Sequence, residues 1–173
     1  MSKSNITESV NLNSLAIDEM ESINIVSLML EEDKAIHHAI KQALPYIAEA
    51  VDLIVEQWKL GARVFVVGAG TSGRIGVLDS IELGPTFSIA ENRWIGLVAG
   101  GNEAMSRPLE QHEDDKNLVI NELRSYSFNE KDVVIGVSAS GTTPYSVSAI
   151  TYAKELGATT ISLSCNPDTI SYN

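Results

Sequence analysis

A glycine-rich turn between a short apolar run and a helical pattern constrains the fold of this chain more than any other feature. The segment VFVVGAGTSGRIG at residues 64–76 begins with β-branched and aromatic residues, which is typical of a buried strand. Residues 68–73 then fit the pattern G-x-G-x-x-G, in which glycines allow a tight turn and close approach of the backbone to a bound phosphate. The segment therefore predicts a strand, a phosphate-binding turn and a helix of an α/β fold.

Three further apolar segments predict strands, and helical patterns separate them. Apolar strands that alternate with helices are typical of a parallel sheet covered by helices on both faces, which is a three-layer α/β architecture. The predicted strands are residues 63–69, 93–100, 132–139 and 159–166, and the predicted helices are residues 72–83, 102–125 and 144–156.

The first third of the chain has a different pattern. Residues 1–17 are polar and predict an extended arm, whereas apolar residues recur at helical spacing over residues 33–58. Pro45 interrupts this helical pattern, so we expect either a break just before it or a kink. We therefore expect an N-terminal arm with helices over residues 1–53 and a sugar-phosphate-binding α/β domain over residues 54–173.

The composition limits the possible partners. The 173 residues carry a net charge of −11, which argues against binding to nucleic acid or to an anionic membrane. No apolar run approaches the roughly 18 residues of a membrane span, and the polar N-terminus does not look like a signal peptide, so we expect a cytoplasmic protein. The single cysteine excludes an internal disulfide and a cysteine-based metal cluster, and we expect no metal site.

A second loop repeats the chemistry of the first. Residues 138–144 read SASGTTP and follow the third predicted strand, just as residues 68–74 follow the first. Ligands of open α/β sheets bind at the carboxyl ends of the strands, where these loops lie. A dinucleotide site would need an acidic residue at the end of the second strand, but Gly100 and Gly101 stand there. Two hydroxyl-rich loops therefore favour a small polyol phosphate, with ordinary turns in which Ser140 or Thr142 caps the next helix as the alternative.

Several segments, in the same order along the chain, resemble one family closely. The two loops are similar to those of the sugar isomerase (SIS) domain, which binds phosphosugars, and further segments make the match specific. We identify the chain as a member of the N-acetylmuramic acid 6-phosphate etherase family, matched over somewhat more than the first half of the usual length. The resemblance implies an SIS-type, flavodoxin-like fold. The matching segments are TESVNLNSLAIDEMES (7–22), GAGTSGR (68–74), DSIELGPTF (79–87), GLVAGGNEA (96–104), EQHEDD (110–115) and SASGTTPY (138–145).

This resemblance implies an activity and a set of site residues. The family removes the D-lactyl ether from N-acetylmuramic acid 6-phosphate by elimination and hydration, without metal or organic cofactor, and its members are homodimers with the site near the subunit interface. Glu82 corresponds to the proton donor and Glu113 to the base. Thr142 stands where the family often has arginine, and the residues around Glu82 also depart from the common pattern. The positions that correspond to substrate contacts are Thr71, Ser72, Gly73, Ser138, Ser140, Gly141 and Thr143.

The residues themselves give some independent support for the two carboxyl groups. Glu82 follows Ile75 by seven positions and Leu78 by four, so it lies on an apolar helix face, near the predicted helix end. Burial and the helix dipole would both favour its protonated form there. Glu113 belongs to the acidic run 110–115, for which a solvated turn is the alternative. Arg74 could bind phosphate or be a surface charge.

Two further expectations concern the protein as a whole. A non-catalytic, phosphosugar-binding regulatory protein built on the same domain is the alternative to the enzyme. In addition, the chain stops at Asn173, shortly after the fourth predicted strand, with no later helix to cover the sheet. We therefore expect either a truncated sequence or a fold that needs a partner surface.

Overall fold

Four strands form a parallel sheet: β1 is Val64–Gly68, β2 is Trp94–Val98, β3 is Val133–Val137 and β4 is Thr159–Leu163. Their order in the sheet is β2-β1-β3-β4, so β1 and β3 are the inner strands. The computed structural model describes residues 6–167 of the chain. Within the sheet, Val64 pairs with Trp94 of β2 on one side and with Val133 of β3 on the other. The strands are shorter than predicted but lie at the predicted places.

Helices cover both faces of this sheet. The α-helices of the described residues are α1 (Ser22–Lys59), α2 (Gly70–Phe87), α3 (Lys116–Ser125) and α4 (Pro144–Glu155). Phe65 and Val67 of β1 pack on one face in a core shared with α3 and α4, whereas Val64 points to the other face and packs near Trp58. On that second face α2 crosses so closely that Gly76 lies against Val66. The predicted three-layer α/β architecture is therefore confirmed. Among the residues described, no helix combines the length and the apolar character needed to cross a membrane.

The chain divides into two compact units between Asp52 and Leu53. In the first unit, α1 continues through Pro45, so the predicted break is wrong. A proline removes one backbone hydrogen bond, and the helical spacing of apolar residues continues on both sides of it. The described part of the predicted N-terminal arm contains short 3-10 turns. These turns are Ile6–Glu8, Leu12–Ser14 and Ile17–Glu19.

The segment between β2 and β3 differs most from the prediction. A helix was expected over residues 102–125, but only α3 is an α-helix. The preceding residues form two 3-10 turns, Gly101–Met105 and Glu110–His112. Gly100 and Gly101 both have positive φ, which interrupts regular helix geometry at the start of this segment. The candidate base Glu113 therefore lies in an irregular segment and not on a helix.

A close approach of backbone to backbone joins β1 to α2. A Cβ atom added to Gly73 would lie 2.4 Å from the carbonyl oxygen of Gly68, and one added to Gly68 would lie 2.7 Å from the amide nitrogen of Gly73. Both distances are far below van der Waals contact, so neither position accepts a side chain without a backbone shift. The glycines of the loop are therefore required by the packing of the first turn of α2 onto the end of β1.

We expect Gly73→Ala to lower the free energy of unfolding by about 1–3 kcal/mol, because the new methyl group forces this contact apart. Gly84→Ala is the matched control on the same helix, since a Cβ there meets only the carbonyl oxygen of Ile89, at 3.9 Å. The control should be neutral or stabilising by up to about 1 kcal/mol. Urea denaturation of both variants measures the difference, and equal effects would contradict the role given to Gly73.

Candidate functional site

The two predicted loops lie side by side at one edge of the sheet. One follows β1 and the other follows β3, and these strands are neighbours. From β1 the chain passes to β2 on one side, and from β3 it passes to β4 on the other. Such a reversal of direction leaves a crevice at the carboxyl ends of the two strands, where open α/β sheets bind their ligands.

The first loop turns directly into α2. Gly70 adopts a left-handed conformation with φ of +53° and begins the helix, which brings Thr71 and Ser72 into its first turn. A helix N-terminus favours an anion through its N–H groups and its dipole. Gly73 contributes differently, because its N–H group already donates to the carbonyl oxygen of Ala69 at 3.1 Å. The role of Gly73 here is to let the backbone pack closely.

The second loop holds a cluster of hydroxyl groups that bond to each other. The hydroxyl of Ser138 lies 2.9 Å from that of Thr143 and 3.2 Å from that of Ser140, and it accepts the N–H of Gly141 at 3.0 Å. Ser138 is only 6% exposed. Neither Ser140 nor Thr142 caps α4, because Thr143 occupies its N-cap position and makes no side-chain cap. An ordinary turn contact is nevertheless present, since the hydroxyl of Ser140 accepts the N–H of Thr142 at 3.2 Å.

The end of β4 fixes this second loop in place. The N–H of Ser138 donates to the carbonyl oxygen of Leu163 at 3.1 Å, and the amide side chain of Asn166 donates to the carbonyl oxygen of Ser140 at 3.1 Å. Asn166 is 4% exposed and was missed by the sequence reasoning. The sequence does contain an indication of Asn166, because it is a polar residue just after a predicted strand, at the same edge of the sheet as the two loops.

A pocket of about 210 Å³ opens beside the first loop. Its lining includes Gly70 and Thr71 from that loop and Leu109, Glu110 and Glu113 from the segment before α3. The structure therefore brings the candidate base together with a predicted phosphate-binding residue.

Glu113 differs from the acidic residues around it. It is half-buried, whereas Glu110, Asp114 and Asp115 are exposed. Its N–H group donates to the carbonyl oxygen of Glu110 at 3.1 Å, and its own carbonyl oxygen accepts the N–H of Tyr145 at 3.0 Å. A solvated acidic turn therefore describes its neighbours but not Glu113. The second hydrogen bond also ties this segment to the first turn of α4, directly after the second loop.

Arg74 has a role that neither sequence alternative included. Its Nε donates to the carbonyl oxygen of Ala104 at 2.6 Å, and one of its terminal nitrogens donates to the carbonyl oxygen of Arg107 at 3.0 Å. Arg74 also lines the pocket. Its guanidinium group thus fixes the segment that forms the far wall of the pocket against the start of α2.

Glu82 is separate from this pocket within the single chain. It is exposed and lies about 18 Å along α2 from Gly70, at about 1.5 Å per residue. The expectation that Glu82 is buried is therefore wrong within the single chain. The expected dipole effect is wrong too, because α2 continues to Phe87 and Glu82 precedes its last turn. The apolar face around it is present but also exposed, with Ile75, Leu78 and Ile81 each about three-fifths accessible to solvent.

A protein-family model matches most of the chain. The family model described as the glucokinase regulatory protein N-terminal SIS domain matches residues 46–154. The chain belongs to this SIS family. Its fold is also similar to the structure of a phosphoheptose isomerase from Francisella tularensis, with a TM-score of 0.67 and 23% identity over 84% of this chain and 75% of that chain.

Curated relatives carry a more specific name. The chain is 55% identical, over 94% of its length, to N-acetylmuramic acid 6-phosphate etherase 2 of Bacillus licheniformis. It is 45% identical over the same share to N-acetylmuramic acid 6-phosphate etherase of Photorhabdus laumondii. The predicted resemblance to these etherases is therefore confirmed. The chain covers 55% and 54% of these two relatives, so it spans about half their length.

Asp115, in the acidic run 110–115, has a structural role, and a pair of variants can distinguish it from its exposed neighbour. The carboxylate of Asp115 caps α3 by accepting the N–H groups of Asn117 at 3.0 Å and Leu118 at 3.2 Å. Asp115→Ala should therefore lower the free energy of unfolding by about 1 kcal/mol. Asp114→Ala, the exposed neighbour, is the control and should change it by less than about 0.5 kcal/mol. Urea denaturation measures both, and an undiminished stability of Asp115→Ala would contradict the cap.

Proposed function

We propose that this protein is a lyase that converts N-acetylmuramic acid 6-phosphate and water into N-acetylglucosamine 6-phosphate and D-lactate. The observation that carries the proposal is the half-buried carboxyl group of Glu113 in the wall of a pocket that Thr71 also lines. The name shared by the curated relatives supports the same reaction. The proposed setting is amino-sugar catabolism and peptidoglycan recycling in the cytoplasm.

Both loops contribute to binding of the phosphosugar in this proposal. Thr71 and Ser72 present the first turn of α2 to the anion, Gly73 lets that turn lie close to the end of β1, and the hydroxyl groups of the second loop provide further donors. This use of hydroxyl groups and helix N-termini suits a chain with 12 lysine and arginine residues against 23 acidic ones. The residues of the second loop assigned to substrate are Ser138, Ser140, Gly141 and Thr143.

The chemistry requires one carboxylate and one carboxylic acid. In the open-chain sugar, the aldehyde acidifies the proton on C2, and Glu113 removes it as the base. The C3–O bond to the lactyl group then breaks as the ether oxygen accepts a proton from Glu82, which releases D-lactate and leaves a C2–C3 double bond. Water adds to this bond, with hydroxide to C3 and a proton to C2. The two steps together cause no net oxidation or reduction, so the reaction needs no electron acceptor. We propose no metal or organic cofactor.

Glu82 can serve this reaction if a second copy of the chain contributes it. The exposed face of α2 carries Ile75, Leu78 and Ile81 beside Glu82, and burial of such a face against another copy releases water from apolar surface. The same burial would favour the protonated form that a proton donor needs. We therefore propose a homodimer in which Glu82 of one chain acts with Glu113 of the other.

Incubation with N-acetylmuramic acid 6-phosphate should release D-lactate. Glu113→Gln should lower kcat by about 10²- to 10⁴-fold, because the amide keeps the shape of the side chain but cannot accept the C2 proton. Asp114→Asn removes a neighbouring exposed charge and should leave kcat within about twofold of the native value. A folded native chain that binds the phosphosugar without lactate release would instead support a regulatory protein.

Mixing two inactive variants tests whether Glu82 acts between chains. Glu82→Gln and Glu113→Gln should each be inactive alone, whereas Asp79→Asn, one turn earlier on α2, should stay active. In a mixture with exchanged subunits, about half of the dimers are mixed and each has one intact site, so about a quarter of the native activity should return. A mixture no more active than its separate components would show that the two glutamates do not act across the interface.

A further inference from the structure

A hydrogen bond inside the core joins the two helices that follow the site segments. Tyr145 is the second residue of α4, and its side chain is fully buried. The phenol hydroxyl donates to the carboxylate of Glu122, which lies on α3 and is half-buried. Neither residue is among those that line the pocket beside the first loop.

Tyr145 also contacts the candidate base through its main chain. Its N–H group donates to the carbonyl oxygen of Glu113 at 3.0 Å. One residue therefore bonds to α3 through its side chain and to the peptide of Glu113 through its backbone. α3 begins three residues after Glu113. The short segment between them is therefore held at one end by the bond to the Glu113 carbonyl oxygen and at the other by the bond to Glu122 on α3.

The surroundings of this pair keep the phenol of Tyr145 protonated, so that Tyr145 remains the donor of the hydrogen bond. Burial raises the pKa of Glu122 above its ordinary value, although the hydrogen bond from Tyr145 acts against this shift. Burial and the neighbouring carboxylate of Glu122 also raise the pKa of Tyr145, so the phenol keeps its proton and remains the donor. A buried carboxyl group without a donor is costly, which favours the bonded arrangement.

We propose that Glu122 and Tyr145 are positioning residues that hold Glu113 in place for proton abstraction. The proposal rests on the role proposed above for Glu113 as the base. Their bond fixes the start of α4 relative to α3, and the amide of Tyr145 transmits this position to the Glu113 peptide. The second loop has its own anchors at Leu163 and Asn166. Loss of the Glu122–Tyr145 bond should therefore disturb the base and leave the phosphate-binding loop in place.

Amide hydrogen exchange tests the contact without any need for turnover. In Tyr145→Phe, the amide of residue 145 should exchange at least about tenfold faster, whereas the amide of Gly141 in the second loop should change by less than about twofold. Tyr152→Phe is the matched control, because it removes a phenol hydroxyl two turns further along the same helix. Glu122→Gln keeps an acceptor oxygen and should behave like the native chain.

Glu122→Ala removes the acceptor of the same hydrogen bond, on α3. If Tyr145→Phe does not fold, Glu122→Ala should show the same faster exchange of the residue 145 amide. Unchanged exchange of the residue 145 amide in whichever of these two variants folds would overturn the proposal.

Kinetics of D-lactate release give the second readout. Tyr145→Phe should lower kcat by about tenfold and leave KM within about twofold, because the base moves while the phosphate contacts stay. Faster exchange with unchanged kcat in a chain that turns over would overturn the positioning role. If the native chain releases no lactate, the proposed reaction fails, and the exchange measurement still decides whether this pair holds the Glu113 segment.

Discussion

The contact between Gly68 and Gly73 determines how the site is built. Because no side chain fits between them, α2 begins immediately where β1 ends, and its first turn lies at the edge of the sheet. The carbonyl oxygen of Gly68 also accepts the N–H of Ala99 at 3.1 Å, which brings the end of β2 to the same place. The glycine turn after β2 and the pocket wall that follows depend on this arrangement. The first loop and the pocket beside it thus share one steric origin.

The sequence predicted the parts of the fold that local patterns control. The four strands, α2, α4 and the two loops follow from apolar runs, glycines and the proline at the start of α4. The segment between β2 and α3 could not be predicted in the same way. Its path depends on the bonds of Arg74 to Ala104 and Arg107, which join residues about 30 positions apart. Apolar periodicity carries no information about such bonds, so this segment was mistaken for helix.

The two candidate carboxyl groups show a similar limit. The sequence placed Glu82 on an apolar face correctly, but an apolar face is buried only if something covers it. In the single chain that face is exposed, and the pocket contains Glu113 without Glu82. The distinction of Glu113 from its acidic neighbours arises from the hydrogen bond to Tyr145, a contact between segments about 30 residues apart. Residue type alone could not separate these four acids.

The hydroxyl cluster of the second loop has a consequence for how a ligand would enter. The hydroxyl groups of Ser140 and Thr143 both bond to that of Ser138, whose backbone N–H is held by the carbonyl oxygen of Leu163 in β4. A hydroxyl hydrogen changes its partner by rotation about a single C–O bond. The hydroxyl groups could therefore turn from one another towards an arriving anion by rotation about their C–O bonds. The main chain would lose little freedom in this change. Such preorganisation keeps the entropic penalty of association small.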